Sequence, residues 1–186
     1  MKKIMTVAML LLLGLTSVGC SNKTLSDIVN GNSDSEDSSY HKYDVGETVH
    51  TLFFDFVVNN ISQEETINGT APDEGKKFVV VDMTIKNTFT SSISMYSTDF
   101  VLEWDQLSED DDAIAGPNSY YDKAPLYDNE FEKEYALDVD ESRTGVLVFQ
   151  VPKEVDEVSY SAQDIYSDKE GNSHQGDVYF ITESLY

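Results

Sequence analysis

Past Asp44, apolar and polar residues alternate with a period of two in short runs, each closed by Gly, Pro, Asn or Asp. In residues 51–58 the alternation puts Leu52, Phe54, Phe56 and Val58 on one face. In residues 78–86 it turns Val79, Val81, Met83 and Ile85 inward and leaves Asp82, Thr84 and Lys86 wet. Phe100, Leu102 and Trp104 alternate with Val101 and Glu103, and Tyr135, Leu137 and Val139 alternate with Glu134, Ala136 and Asp138. Residues 145–151 are apolar on both faces, which predicts a strand central in its sheet, ended by Pro152 for want of an N–H donor. Residues 158–161 and 178–182 complete a set of seven predicted strands. Successive side chains of an extended chain point to opposite faces, so a period of two reads as strand. Seven short strands with turn residues between them, and no long 3.6-residue periodicity, predict an all-β chain: an immunoglobulin-like antiparallel β-sandwich. Asp168-Lys169-Glu170-Gly171-Asn172 reads as the hairpin tip between the last two strands. Trp104 is a core candidate whose indole N–H needs a partner.

The amino terminus breaks this pattern. Met1-Lys2-Lys3 is followed by an apolar stretch from Ile4 to Leu15 and then by Ser17-Val18-Gly19-Cys20, which holds the only cysteine. A basic start, a short apolar core, small residues and then a cysteine resemble a bacterial lipoprotein signal peptide, although Ser17 stands where leucine is usual. The stretch is too short for a comfortable membrane-spanning helix. The resemblance implies cleavage before Cys20 and lipidation of its thiol by a diacylglyceryl group, with palmitate-like chains. Each buried methylene contributes about 0.8 kcal/mol, and two or more chains hold a protein stably where one does not. The expected division is a signal peptide over residues 1–19, a lipidated cysteine and flexible linker over 20–44, and a sandwich domain over 45–186. A secretory signal with an incidental Cys20 is the alternative. Once Cys20 is lipidated no thiol remains for a disulfide, a thiolate nucleophile or a sulfur-bound metal. The immunoglobulin Cys…Trp…Cys pattern is therefore absent.

The linker is made of Ser, Asn, Asp and Gly, with Asn32-Ser33-Asp34-Ser35-Glu36-Asp37-Ser38-Ser39 at its centre. Such a segment cannot bury enough apolar surface to offset its chain entropy, which predicts disorder and a root-mean-square span of roughly 25–30 Å. The run Tyr40-His41-Lys42-Tyr43 at its end is also readable as a linear recognition motif. With 35 acidic against 12 basic residues, the formal charge is −23. A surface of that sign repels nucleic acid, anionic lipid and other polyanions, and attracts divalent cations and a basic protein or peptide partner.

Four segments occur in a telling order: Val45-Gly46-Glu47-Thr48, then Pro72-Asp73-Glu74-Gly75-Lys76-Lys77, then Phe78-Val79-Val80-Val81-Asp82-Met83-Thr84-Ile85-Lys86-Asn87, and finally Gly145-Val146-Leu147-Val148-Phe149-Gln150-Val151-Pro152. Behind the lipoprotein-like start, this order resembles a family of Gram-positive surface lipoproteins known as domain of unknown function 4352. The resemblance implies an immunoglobulin-like sandwich anchored on the outer face of the cell membrane. It implies no catalytic residue.

The best candidate for site chemistry is the acidic run with Asp105, Glu109, Asp110, Asp111 and Asp112. Calcium takes six to eight oxygens, which loop carboxylates and carbonyls can supply. The run lacks the alternating acids, central Gly and closing Glu of an EF-hand, so a solvated loop is its other reading. Tyr120, Tyr121 and Tyr127 form an aromatic group that suits recognition, since rings give large contact at low entropy cost. The same rings could instead cap the core. His41, His50 and His174 have no evident Ser or Cys partner, and no Gly-x-Ser-x-Gly, His-Glu-x-x-His, P-loop or dinucleotide pattern is present. No catalytic residue and no cofactor is expected, calcium being the one candidate ion. The leading expectation is a non-catalytic, lipid-anchored surface binding or accessory module. A calcium-dependent surface protein is the second and an extracytoplasmic hydrolase the third.

Overall fold

The computed structural model describes residues 39–108, 112–167 and 172–185. They form eleven strands: β1 (Tyr40–Tyr43), β2 (Thr48–His50), β3 (Phe54–Glu64), β4 (Lys76–Asn87), β5 (Ile93–Tyr96), β6 (Phe100–Glu103), β7 (Ile114–Ala115), β8 (Glu134–Leu137), β9 (Ser142–Pro152), β10 (Glu157–Ser167) and β11 (Ser173–Ser184). Two 3-10 turns, Ser97–Asp99 and Asn118–Tyr121, interrupt them. One sheet has the order β1-β11-β10-β6-β7, a second β2-β3-β4-β9, and β5 pairs with β8. Every pairing is antiparallel except that of β1 with β11. The chain is an all-β, immunoglobulin-like sandwich.

The alternating residues meet between the two main sheets. Val79, Val81, Met83 and Ile85 of β4 are fully buried, as are Phe100 and Leu102 of β6. Five rings cross the sheet interface: Phe56 lies 5.4 Å from Phe100, Phe100 stacks on Tyr160 at 5.4 Å, Phe54 sits 6.0 Å from Phe100, and Phe149 meets Tyr160 edge-on at 6.2 Å. The Tyr160 hydroxyl is sealed in this core and donates to Met83 Sδ at 2.8 Å. Burying each such side chain is worth about 1.5–3 kcal/mol.

Four sequence expectations are corrected. First, β9 is not central: it is the last strand of its sheet. Its free edge is covered by residues 129–131, where the Phe131 N–H donates to Val146 O at 2.9 Å and the Val146 N–H to Asn129 O at 3.1 Å. Gly145 permits this approach, because a Cβ there would stand 2.5 Å from Asn129 O. Residues 145–151 are apolar on both faces because the outer face is also covered. There Ile67, Phe78, Val80, Val146 and Val148 form a second buried cluster packed under Leu126 and Tyr127.

Second, Leu52 is 56% exposed and Phe53 is buried in its place. Thr51 Oγ1 accepts from the Phe53 and Phe54 N–H groups, so a tight turn precedes β3 and reverses the parity there. Third, Val139 is exposed, since β8 ends at Leu137 and the chain turns at Asp140 with φ of 63°.

Fourth, the linker does not extend to residue 44. Tyr40–Tyr43 is a strand parallel to β11, in register from Tyr40 with Val178 to Tyr43 with Ile181. Asp177 clamps its start, accepting from the Ser39 N–H at 3.1 Å and facing His41 Nε2 at 3.2 Å, while His41 stacks on Tyr179 at 5.6 Å. The linker residues before 39, Cys20 and the signal segment lie outside the described residues. A chain starting at Asp44 is expected to melt below one starting at Ser39, by about 2–4 °C for each kcal/mol that β1 supplies. Equal melting temperatures would show that β1 contributes no stability.

Candidate functional site

A cleft of about 410 Å³ opens at one end of the sandwich, where β4 begins and β9 ends. Its walls come from three segments. The first is the turn before β4, closed by the Lys76 N–H donating to Asp73 O at 3.0 Å, with Gly75 at a φ of +78° that favours glycine. The second is β7 with the 3-10 turn Asn118–Tyr121. Pro117 precedes that turn, and Asp122 ends it in the left-handed region with its N–H on Ser119 O at 3.2 Å. The third wall is Trp104, which follows β6. An ion pair clasps the first two segments, with Lys123 Nζ 2.7 and 2.9 Å from the Asp73 carboxylate. That hydrogen bond holds the Asp73 carboxyl below the ordinary carboxylate range.

The floor is a chain of amides. Gln150 is one polar residue in an otherwise apolar stretch of β9, and it is buried. The backbone N–H of Asp73 donates to Gln150 Oε1 at 2.7 Å, and Gln150 Nε2 donates to Asn118 Oδ1 at 3.1 Å. A backbone N–H cannot exchange roles, so it fixes the orientation of both amides in turn. Asn118 is only 3% exposed and lines the cleft. Trp104, Ile114 and the exposed Tyr121 supply the apolar wall.

Other carboxyls are perturbed but lie elsewhere. Burial pushes Asp99 up to about 7, its Oδ2 accepting from the Tyr96 N–H at 2.8 Å. Burial likewise raises Glu103, bonded by Ser161 Oγ at 3.1 Å, and Glu130, bonded by the Leu126 N–H at 2.7 Å. It also raises Asp164, which accepts from the Tyr179 hydroxyl at 2.8 Å and the Leu52 N–H at 3.2 Å. None of the four lines the cleft, and each is tied to a backbone or hydroxyl partner that belongs to the fold.

The residues singled out from sequence separate in space. Glu109, Asp110 and Asp111 lie outside the described residues. Asp112 lines the cleft, whereas Asp105 lies in a neighbouring depression with Leu107 and Val155. Among the described residues, no three His, Cys, Asp or Glu side chains are grouped to hold a metal ion. Tyr120 and Tyr121 pack edge-on at 4.9 Å, and Lys133 sits 5.7 Å over the Tyr120 ring. Tyr127 is apart from them, packed on the second buried cluster of β4 and β9. His50 pairs with Asp55 at 2.9 Å, and His174 stacks on Tyr166 at 5.3 Å.

Lys76, Asn118 and Gln150 were not site candidates from sequence. The β4–β9 register, which sets Lys76 opposite Pro152 and Phe78 opposite Gln150, brings the first and last together. A lone amide inside an apolar strand was the signal that could have marked Gln150.

Several solved structures are similar to this chain. A candidate lipoprotein (ycdA) of Bacillus subtilis is 18% identical with a TM-score of 0.48; the match covers 72% of this chain but only 38% of the other. An uncharacterised β-sandwich protein of Clostridium difficile is 12% identical over 82% of this chain and 99% of its own, with a TM-score of 0.45. The secreted protein MPT63 of Mycobacterium tuberculosis is 10% identical over 78% of this chain and 98% of its own, with a TM-score of 0.46. No curated protein matches the sequence. The family model for a domain of unknown function, DUF4352, matches residues 43–173, from the end of β1 to the start of β11, and the chain belongs to that family.

Proposed function

We propose that the protein is a non-catalytic binding module, held by a lipid on Cys20 to the outer face of the cell membrane. The observation that carries the binding role is the cleft and its placement. Tyr40, where the chain enters the domain, is level with Val178 and so with Gln163 of β10, while Glu103 is level with Ser159. Four residues of strand, or roughly 14 Å, separate these levels. Trp104 and the cleft lie beyond the second, so the cleft sits at the end of the domain away from Tyr40 and stays accessible when the chain is tethered there. Domains of lipoprotein and secreted type among the structural relatives accord with an extracytoplasmic setting.

The non-catalytic reading rests on the cleft itself. Its titratable side chains are Asp73, Lys76, Asp112, Tyr121 and Lys123. Asp73 and Lys123 neutralise each other, and among the described lining residues there is no histidine or cysteine to serve as nucleophile or base.

Anchorage is tested by fractionation. The wild-type protein is expected in the membrane pellet after a salt wash, and Cys20→Ala in the soluble fraction. A Cys20→Ala protein that remains in the washed membrane would contradict the lipid anchor.

A further inference from the structure

Three polar groups in the cleft form no side-chain hydrogen bond or ion pair among the described residues, although Lys76 adds a weaker charge attraction to Asp73. The amide chain described above uses Asn118 Oδ1 as an acceptor and therefore turns Asn118 Nδ2 outward, where it bonds to no described residue. Asn118 is nine-tenths buried and more, yet Nδ2 is not among the sealed unpartnered polar atoms of the described residues, which include Ser119 Oγ and Glu130 Oε1. It therefore opens onto the cleft. Lys76 and Asp112 line the same cleft, and neither side chain forms an ion pair or hydrogen bond among the described residues.

These groups specify complementary chemistry. A buried amide N–H without an acceptor costs about 1–3 kcal/mol in desolvation, which an oxygen acceptor recovers. The Lys76 ammonium on the wall of the same cleft makes a carboxylate the fitting acceptor. Asp112 supplies the opposite demand, for an ammonium. Trp104, Ile114 and Tyr121 add an apolar wall, and about 410 Å³ lies within the range of small-ligand sites. The −23 charge of the chain opposes a purely anionic ligand, whereas a zwitterion carries no net charge to repel.

We infer that the cleft binds a short zwitterionic peptide with an apolar side chain, its carboxylate on Lys76 and Asn118 Nδ2, its ammonium on Asp112 and its apolar group against Trp104 and Tyr121. The inference rests on the binding role proposed above and identifies the ligand class. The protein holds one tryptophan, so emission from Trp104 reports on the cleft directly.

The full chain in detergent is titrated with alanyl-leucine to about 10 mM, tenfold above a millimolar dissociation constant. Trp104 emission and calorimetric heat are both recorded. The expected result is a saturable emission change that coincides with the heat. Affinity should fall about tenfold for the C-terminal amide of the dipeptide and for Lys76→Gln, and severalfold for the N-acetyl dipeptide and for Asp112→Asn. No saturable signal by either method would overturn the inference. So would equal affinity for acid and amide, or heat without an emission change that Lys76→Gln leaves intact, since the peptide would then sit elsewhere. Failure here leaves membrane anchorage untouched, because the Cys20→Ala fractionation reads that separately.

Discussion

Phe149→Ala will cost about 3–5 kcal/mol, the range for emptying an aromatic side chain from a rigid core. Phe149 is fully buried, pairs across β4 with Val79, and meets Tyr160 of the facing sheet at 6.2 Å. Its removal leaves a void between two sheets whose backbones are locked by ladder hydrogen bonds, so collapse around it is limited. The neighbouring Gln150→Ala will also be costly, by about 1–3 kcal/mol, although the side chain points to the other face. It strands the Asp73 N–H and Asn118 Oδ1 together, and with them the floor of the cleft. Alternation alone would assign Gln150 to a wet face and predict a near-neutral change. Denaturant unfolding of the two variants decides this: a loss below about 0.5 kcal/mol for Gln150→Ala would mean the amide chain is not formed in solution.

Stability will fall as pH rises from about 5 to 7.5, with Asp99 as the largest single source. Burial raises this carboxyl from 3.8 to about 7, so the folded protein holds a proton that the unfolded chain has released. A folded value above the unfolded one contributes stability in full below the unfolded value, and the contribution is lost as pH climbs to the folded value. Between the ordinary value of 3.8 and the folded value of about 7 the loss is of order 4 kcal/mol, of which about 3 kcal/mol falls above pH 5. Glu103, Glu130 and Asp164 are raised by burial and act in the same direction. Asp73 and Glu141 are lowered and oppose them, but Asp73 is exposed and Glu141 partly so, and solvent screening leaves both of little weight. Asp99→Asn keeps an oxygen for the Tyr96 N–H while removing the titration, so its melting temperature should be flatter with pH and higher than wild type at pH 7.5. A wild-type melting temperature that rises between pH 5 and 7.5, or equal slopes for both proteins, would be inconsistent with a protonated Asp99 in the fold.

The strands that were legible in sequence are those with one dry and one wet face. Val81, Met83 and Ile85 alternate with the wetter Asp82, Thr84 and Lys86 in the second half of β4, because the pleat imposes it on a strand with one face on a core, whereas at β6 Val101 is buried along with Phe100 and Leu102. Where a second layer covers the outer face, alternation disappears. Residues 145–151 then look like a central strand, although β9 is an edge strand capped by residues 129–131 and overlaid by Leu126 and Tyr127.

Strand β1 was invisible for a different reason. Tyr40-His41-Lys42-Tyr43 follows a Ser/Asp run and has no apolar stripe, and its partner Asp177 lies 138 residues from Ser39. No local propensity encodes such a pairing. The cleft was half legible: Asp112 and Tyr121 stand out by residue type, whereas Asn118 and Lys76 acquire meaning only when the β4–β9 register and the 3-10 turn set them around Gln150.

The central claim, a binding module tethered by lipid, is tested most directly at the amino terminus of the mature protein. The chain is purified from washed membranes and the mass of its first proteolytic peptide is measured. The account predicts a peptide beginning at Cys20, heavier by a diacylglyceryl group, with residues 1–19 gone. A peptide that retains Met1, or one that starts at or after Cys20 without added lipid, would contradict it.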